Sequence, residues 1–145
     1  MGRVQVRVHV YPTEDEDKVK RAVENLFSLT SWTAEGLEGT ILLTGRSDTL
    51  LSLAKLRERL RKQRTLDAAR YMIKRFSTGD KLVFYLHKQA AYSGHAVFCL
   101  PEAESPLGPI EVEVEGSDLK RILDWLAPPT VNGKPRFEVP MPEDP

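Results

Sequence analysis

The chain has 145 residues, 41% hydrophobic and 29% charged, the size and balance of one water-soluble globular domain. No apolar run approaches the roughly 18 residues of a membrane span, the N-terminus alternates where a signal peptide would be apolar, and the lone Cys99 cannot close an internal disulfide, so the expected compartment is a reducing cytoplasm. The formal net charge is zero, but residues 46–88 carry 12 basic against 4 acidic side chains, while residues 1–45 carry 5 against 7 and residues 89–145 carry 4 against 10. A positive field concentrated in the middle of a neutral chain can attract a polyanion without making the whole surface adhesive.

Residues 3–10 alternate, with Val4, Val6, Val8 and Val10 on one face and Arg3, Gln5, Arg7 and His9 on the other, which predicts a half-buried strand. Pro12 ends it. Thr13 is the expected N-cap of a helix, with Glu16 completing a capping box, and Val19, Ala22, Val23, Leu26 and Phe27 follow helical spacing. Two short strands are expected in residues 31–45, turning near residues 36–39. Ser47 is the expected cap of a second helix whose buried stripe is Leu50, Leu53, Leu56 and Leu60. Thr65 and Asp67 either restart or continue it towards Ala69, Met72, Ile73 and Phe76. Strands are predicted at residues 81–87, 95–100 and 109–115, with a loop at residues 88–94 between the first two. Ser117 then caps a last helix bearing Leu119, Ile122, Leu123 and Leu126, stopped by Pro128 and Pro129.

These elements predict an α+β two-layer sandwich: a mostly antiparallel sheet of about six strands covered on one face by three helices. Residues 1–130 form the expected single domain. Residues 131–145 form an extended proline-rich tail with a turn at Asn132-Gly133. Scarce asparagine and plentiful proline lean towards a thermophilic source.

The strongest candidate for function is the basic stretch Lys55, Arg57, Arg59, Arg61, Lys62 and Arg64, continued by Arg70, Lys74 and Arg75. Arginine binds phosphate in a bidentate fork and stacks on bases, so these residue types suit RNA. A solvated helix face or a charge-matched protein interface would use the same residues. The outer sheet face, with Arg3, Gln5, Arg7 and His9, is a second candidate. Its competing reading is a cross-strand ladder from Arg3 or Arg7 to Glu111, Glu113 or Glu115. Other patterns carry less. The glycines around residues 39–45 lack the lysine and spacing of a phosphate loop, and an acid sits at the centre of Gly36-Leu37-Glu38-Gly39. His87, His95 and Cys99 lack the further ligands of a zinc set, and no nucleophile elbow is present.

Four stretches resemble the archaeal family called uncharacterised protein family 0201. They are Leu66-Asp67-Ala68-Ala69-Arg70, Lys88-Gln89-Ala90-Ala91-Tyr92-Ser93-Gly94, Glu104-Ser105-Pro106-Leu107-Gly108-Pro109-Ile110 and Asp124-Trp125-Leu126-Ala127-Pro128. The resemblance runs over nearly the whole chain. It implies a fold like that of the ribosomal protein that grips 5S rRNA, and a grouping with RNA-binding, exosome-associated proteins, hence RNA or an RNA-processing complex as partner. Within the second stretch, Lys88, Gln89 and Tyr92 offer a cation, an amide and an aromatic platform for an unpaired base. The two alanines and Gly94 equally fit a tightly packed helical turn with Tyr92 filling a pocket. Asp67 and Arg70 could form an intrahelical ion pair.

The resulting expectation is a non-catalytic RNA-binding protein. Its contacts are Arg57, Arg59, Arg61, Lys62, Arg64, Arg70 and Lys74 on the basic helix, with Lys88, Gln89 and Tyr92 on the adjacent loop; no cofactor or metal is needed. The alternative is a homodimeric interaction module whose basic and acidic halves meet across an interface. Its proline tail would reach along the partner through Phe137 and Val139. An enzyme using His87 or His95 is the third reading.

Overall fold

The alternating valines place the first strand at the centre of the molecule. In the computed structural model, which describes residues 3–101 and 108–142, β1 (Arg3–Val10) is flanked on both sides by antiparallel partners. These are β3 (Thr40–Ser47) and β5 (Pro109–Glu115); β2 (Ser31–Leu37) and β4 (Leu82–His87) close the two edges, giving the order β2-β3-β1-β5-β4. Four helices supply apolar stripes to the valine face: α1 (Glu16–Glu24), α2 (Ala54–Gln63), α3 (Leu66–Phe76) and, beyond a short α4 (Lys88–Tyr92), α5 (Leu119–Leu126). Val4, Val6, Val8 and Val10 share one continuous core with Val112, Val114, Phe84 and Leu86 of the sheet and with Val23, Leu60, Ile73 and Leu126 of the helices. The two-layer α+β prediction holds, with five strands in the main sheet instead of six.

The missing strand is the one expected at residues 95–100. That segment makes only an isolated bridge, Leu86 to Phe98, supported by bonds from His87 N to Val97 O (2.7 Å) and from Cys99 N to Tyr85 O (2.9 Å). Gln63 explains why the pairing is so short. Its amide accepts from Ala96 N (2.8 Å) and donates to Ala96 O (2.9 Å), so α2 holds Ala96 and leaves only residues 97–99 to pair with β4. Pro101 offers no N–H at the other end.

Helix starts also differ from the expectation, each time by displacement to a nearby residue. α1 is capped by Asp15, whose Oδ1 accepts from Asp17 N (2.9 Å), not by Thr13. A short 3₁₀ turn, Leu50–Leu53, precedes α2 and is capped by Thr49, while Ser47 stays in β3. α5 is capped by Asp118, not Ser117. The helix break that the sequence left open is real: Arg64 takes a left-handed conformation (φ 58°) after α2, and α3 restarts behind Thr65. After α5, the two-residue strands β6 (Thr130–Val131) and β7 (Lys134–Pro135) pair across the expected Asn132-Gly133 turn. Beyond them Val139 and Met141 pack back against the core. Residues 104–107 of the third family stretch lie outside the described residues.

Candidate nucleic-acid interface

The apolar stripe of α2 divides its arginines into two sets. Arg57 and Arg61 lie on the flank facing the end of α5, where the last carbonyls of a helix have no intrahelical partner. Arg57 Nε donates to Trp125 O (2.9 Å), and its guanidinium lies 5.4 Å from the Trp125 ring. Arg61 uses every N–H it has: towards the carbonyls of Arg57, Leu126 and Trp125, and in a fork onto Glu138 at 3.0 and 2.7 Å. Burial lowers the Arg57 pKa from its ordinary value, and the neighbouring Arg61 charge adds to that; Glu138 opposes both. The hydrogen bond from Arg61 holds the Glu138 carboxyl below the usual carboxylate range.

Arg70 on α3 plays the same part, donating to Asp124 Oδ1 (2.8 Å) and Ala127 O (3.1 Å). Its expected partner, Asp67, instead accepts from the Thr130 hydroxyl. Arg57, Arg61 and Arg70 therefore cap the C-terminus of α5, and Arg57 and Arg61 also bind the returning tail through Glu138. Arg61 commits all of its N–H groups to these contacts, Arg57 its Nε and Nη2 and Arg70 its Nη1, so any contact with RNA competes with the fold.

Lys88 is committed within the fold in the same way. Its side chain is 0% exposed, and Nζ donates to His9 O (2.7 Å) and to the Glu14 carboxylate (3.0 and 3.3 Å), 5.3 Å from the Tyr11 ring. Burial lowers its pKa, partly offset by Glu14. The loop predicted at residues 88–94 is instead mostly helix, α4, with Ala91 buried and its carbonyl accepting from Asn25 Nδ2 (3.0 Å). Tyr92 has its pKa raised by burial, then by the charge of Glu14 and a hydrogen bond to it, then by Asp15. A ring held among carboxylates is a poor neighbour for a phosphate chain. Gln89 is exposed but stands apart from any exposed cation of its own helix.

The second set of cations is different. Lys62, Arg64, Lys74 and Arg75 are exposed and Arg59 is half-buried, and among the described residues none of the five lies within ion-pair distance of a carboxylate. Between the α3 cations stands a residue the sequence reading passed over. Tyr71 is 64% exposed, three and four residues before Lys74 and Arg75, so all three share the solvent face of α3. The signal was present: Tyr71 falls off the Ala69–Ile73 buried stripe and next to cations in sequence.

The open face of the sheet carries the predicted charge ladder. Arg3 pairs across from Glu115, Gln5 from Glu113 and Arg7 from Glu111, with Arg7 Nη2 3.3 Å from Glu111 and Lys81 Nζ 3.2 Å from Glu113. These glutamates mute the positive field there. No helix among the described residues is long and apolar enough to cross a membrane.

A family model described as RNA binding matches residues 3–115, from β1 through both cationic helices to β5. The chain belongs to this family, and its relatives bear the name UPF0201, as the resemblance implied. The UPF0201 protein of Metallosphaera sedula is 50% identical over 145 residues, covering 99% of this chain and 100% of that protein. That of Aeropyrum pernix is 45% identical, covering 97% and 95%. The crystal structure of the UPF0201 protein from Methanococcus jannaschii superposes with a TM-score of 0.83 at 33% identity, covering 93% of this chain and 99% of that one.

Proposed function

We propose that the protein binds single-stranded RNA, without catalysis, on the solvent face of α2 and α3. Arg59, Lys62, Arg64, Lys74 and Arg75 meet phosphates and Tyr71 stacks on a base. The observation that carries this reading is that Arg59, Lys62, Arg64, Lys74 and Arg75 have no carboxylate within ion-pair distance among the described residues, with the exposed Tyr71 ring on the same α3 face as Lys74 and Arg75. A base has a π-face whatever its identity, so a tyrosine flanked by cations holds unpaired nucleotides with little sequence preference. The family's RNA-binding description supports the choice of polyanion.

Contacts within one chain weigh against the homodimeric alternative. Acidic residues of the C-terminal third, Asp124 and Glu138, meet the basic helices inside one chain, and Val139 packs on its own core. The test is the triple substitution Arg59→Glu, Lys62→Glu, Arg64→Glu. Filter binding to a single-stranded RNA should be lost while the thermal midpoint stays near that of the parent. With about five phosphates neutralised, the parent's log affinity should fall with log salt at a slope of roughly −3.5. Unchanged affinity in the triple variant removes α2 from the interface.

A further inference from the structure

Where α2 gives way to α3, the β6–β7 hairpin leans over the joint and leaves a half-enclosed cleft of about 400 Å³. Its lining includes Arg61, Arg64, Leu66, Asn132, Lys134 and Pro135. Arg61 is saturated by the contacts described above. Arg64 and Lys134 have no carboxylate within ion-pair distance among the described residues, so the cleft presents two unspent cations to whatever enters. Of the other clefts of similar size, that of about 380 Å³ beside Tyr11 and Leu37 is lined by Glu14 and Glu16 and by no cation, and that of about 370 Å³ on the open sheet face holds Arg7 against Glu111.

Arg64 is a costly residue at its position. It ends α2 with φ at 58°, a conformation in which a side chain crowds the backbone and which glycine adopts freely. Elsewhere in the described chain positive φ falls on glycines and on Asn132, a residue type that tolerates it. An arginine here gains nothing for the helix end that glycine would not supply better. What it adds is a guanidinium in the cleft.

We infer that this cleft binds a terminal phosphate monoester, the phosphorylated end of an RNA strand whose following nucleotides run along the α2–α3 face. The inference rests on the RNA reading above. Two cations in a concave site match the dianion of a monoester, whereas an internal phosphodiester carries one charge and needs a path in and a path out. Arg64 belongs to both the cleft and the cationic face, which sets the strand's end at the helix joint. Leu66 and Pro135 give apolar walls against which the first ribose packs.

The test compares one single-stranded RNA oligomer in 5′-phosphorylated, 3′-phosphorylated and hydroxyl-ended forms, together with adenosine 5′-monophosphate, on the full chain. One of the phosphorylated forms should bind about tenfold more tightly than the hydroxyl-ended form, the size of one charge-assisted contact. The preference should grow as pH rises through about 6, where the monoester loses its second proton. Arg64→Gly should abolish the preference while the thermal midpoint holds or rises, an outcome a purely structural arginine would not give. Lys134→Gln, on the hairpin and not at the strained helix end, should weaken the preference on an intact fold. Equal affinity for all three forms, or a preference that survives both substitutions, overturns the inference and leaves RNA binding standing. If no form binds, the RNA reading fails, and the monophosphate decides the cleft alone. Amide shifts at residues 132–134 on its addition keep the cleft as a phosphate site, and their absence removes it.

Discussion

Replacing Lys88 with methionine removes a charge that the fold has enclosed completely. The ammonium donates to His9 O and to both oxygens of Glu14, whose own side chain is only 5% exposed. Methionine fills similar volume, but it leaves the Glu14 carboxylate buried without its counter-charge; among the described residues, Tyr11 N (3.0 Å) and the Tyr92 hydroxyl remain as donors. Breaking a buried pair from one side costs about 3–5 kcal/mol. At roughly 2–4 °C per kcal/mol for a domain of this size, the thermal midpoint should fall by about 6–20 °C. Adding Glu14→Gln to Lys88→Met should recover a large part of that loss, because the amide carries no charge to strand. Scanning calorimetry on the single and double variants measures both effects, and RNA affinity taken well below each midpoint should equal the parent's. A single variant whose midpoint stays within about 1 °C of the parent contradicts the burial argument. A folded variant with reduced RNA affinity would return Lys88 to the interface.

Glu138→Gln removes the tail carboxylate from Arg61 and Arg57. Because Glu138 is 47% exposed, the stability loss should be no more than about 1 kcal/mol. RNA affinity should rise a few-fold as donors on Arg61 are released beside the cationic face, and a salt series on the variant checks it. Acid should act on the same contact. The folded Glu138 pKa lies below its ordinary 4.5, so the contact's stabilisation is full above about pH 4.5 and is lost as pH falls through the lower folded value. Tail release monitored by fluorescence of Trp125, over which Arg57 lies, should show a step in that range that Glu138→Gln lacks.

The fold was legible where a local pattern decides it. The valines of β1 and the alternating Ile110, Val112 and Val114 of β5 specify a buried face, and the opposed Arg7 and Glu111 follow from antiparallel pairing of those two strands. The site was legible only in outline. Clustered cations in residues 46–88 announce a positive field, but which arginines remain available depends on contacts far away in sequence. Arg61 is spent on carbonyls at residues 125 and 126 and on Glu138, and Lys88 on Glu14, 74 residues earlier. Neither partner leaves a trace near the cation it binds. Cap positions slipped by one or two residues because an aspartate beside a hydroxyl competes for the same amides; Asp15 and Asp118 prevailed over Thr13 and Ser117. The strand expected at residues 95–100 failed for a tertiary reason also, the grip of Gln63 on Ala96.

The claim that RNA lies on the helix face, and not on the sheet, is tested most directly by irradiating the protein bound to a single-stranded RNA and sequencing the peptides that carry nucleotide. Base stacking on the exposed ring of α3 predicts adducts on residues 71–74, with Tyr71 as the attached residue. Adducts confined to Arg7, His9 or Tyr85 of the open sheet, or to Tyr92 beside Glu14, would contradict it.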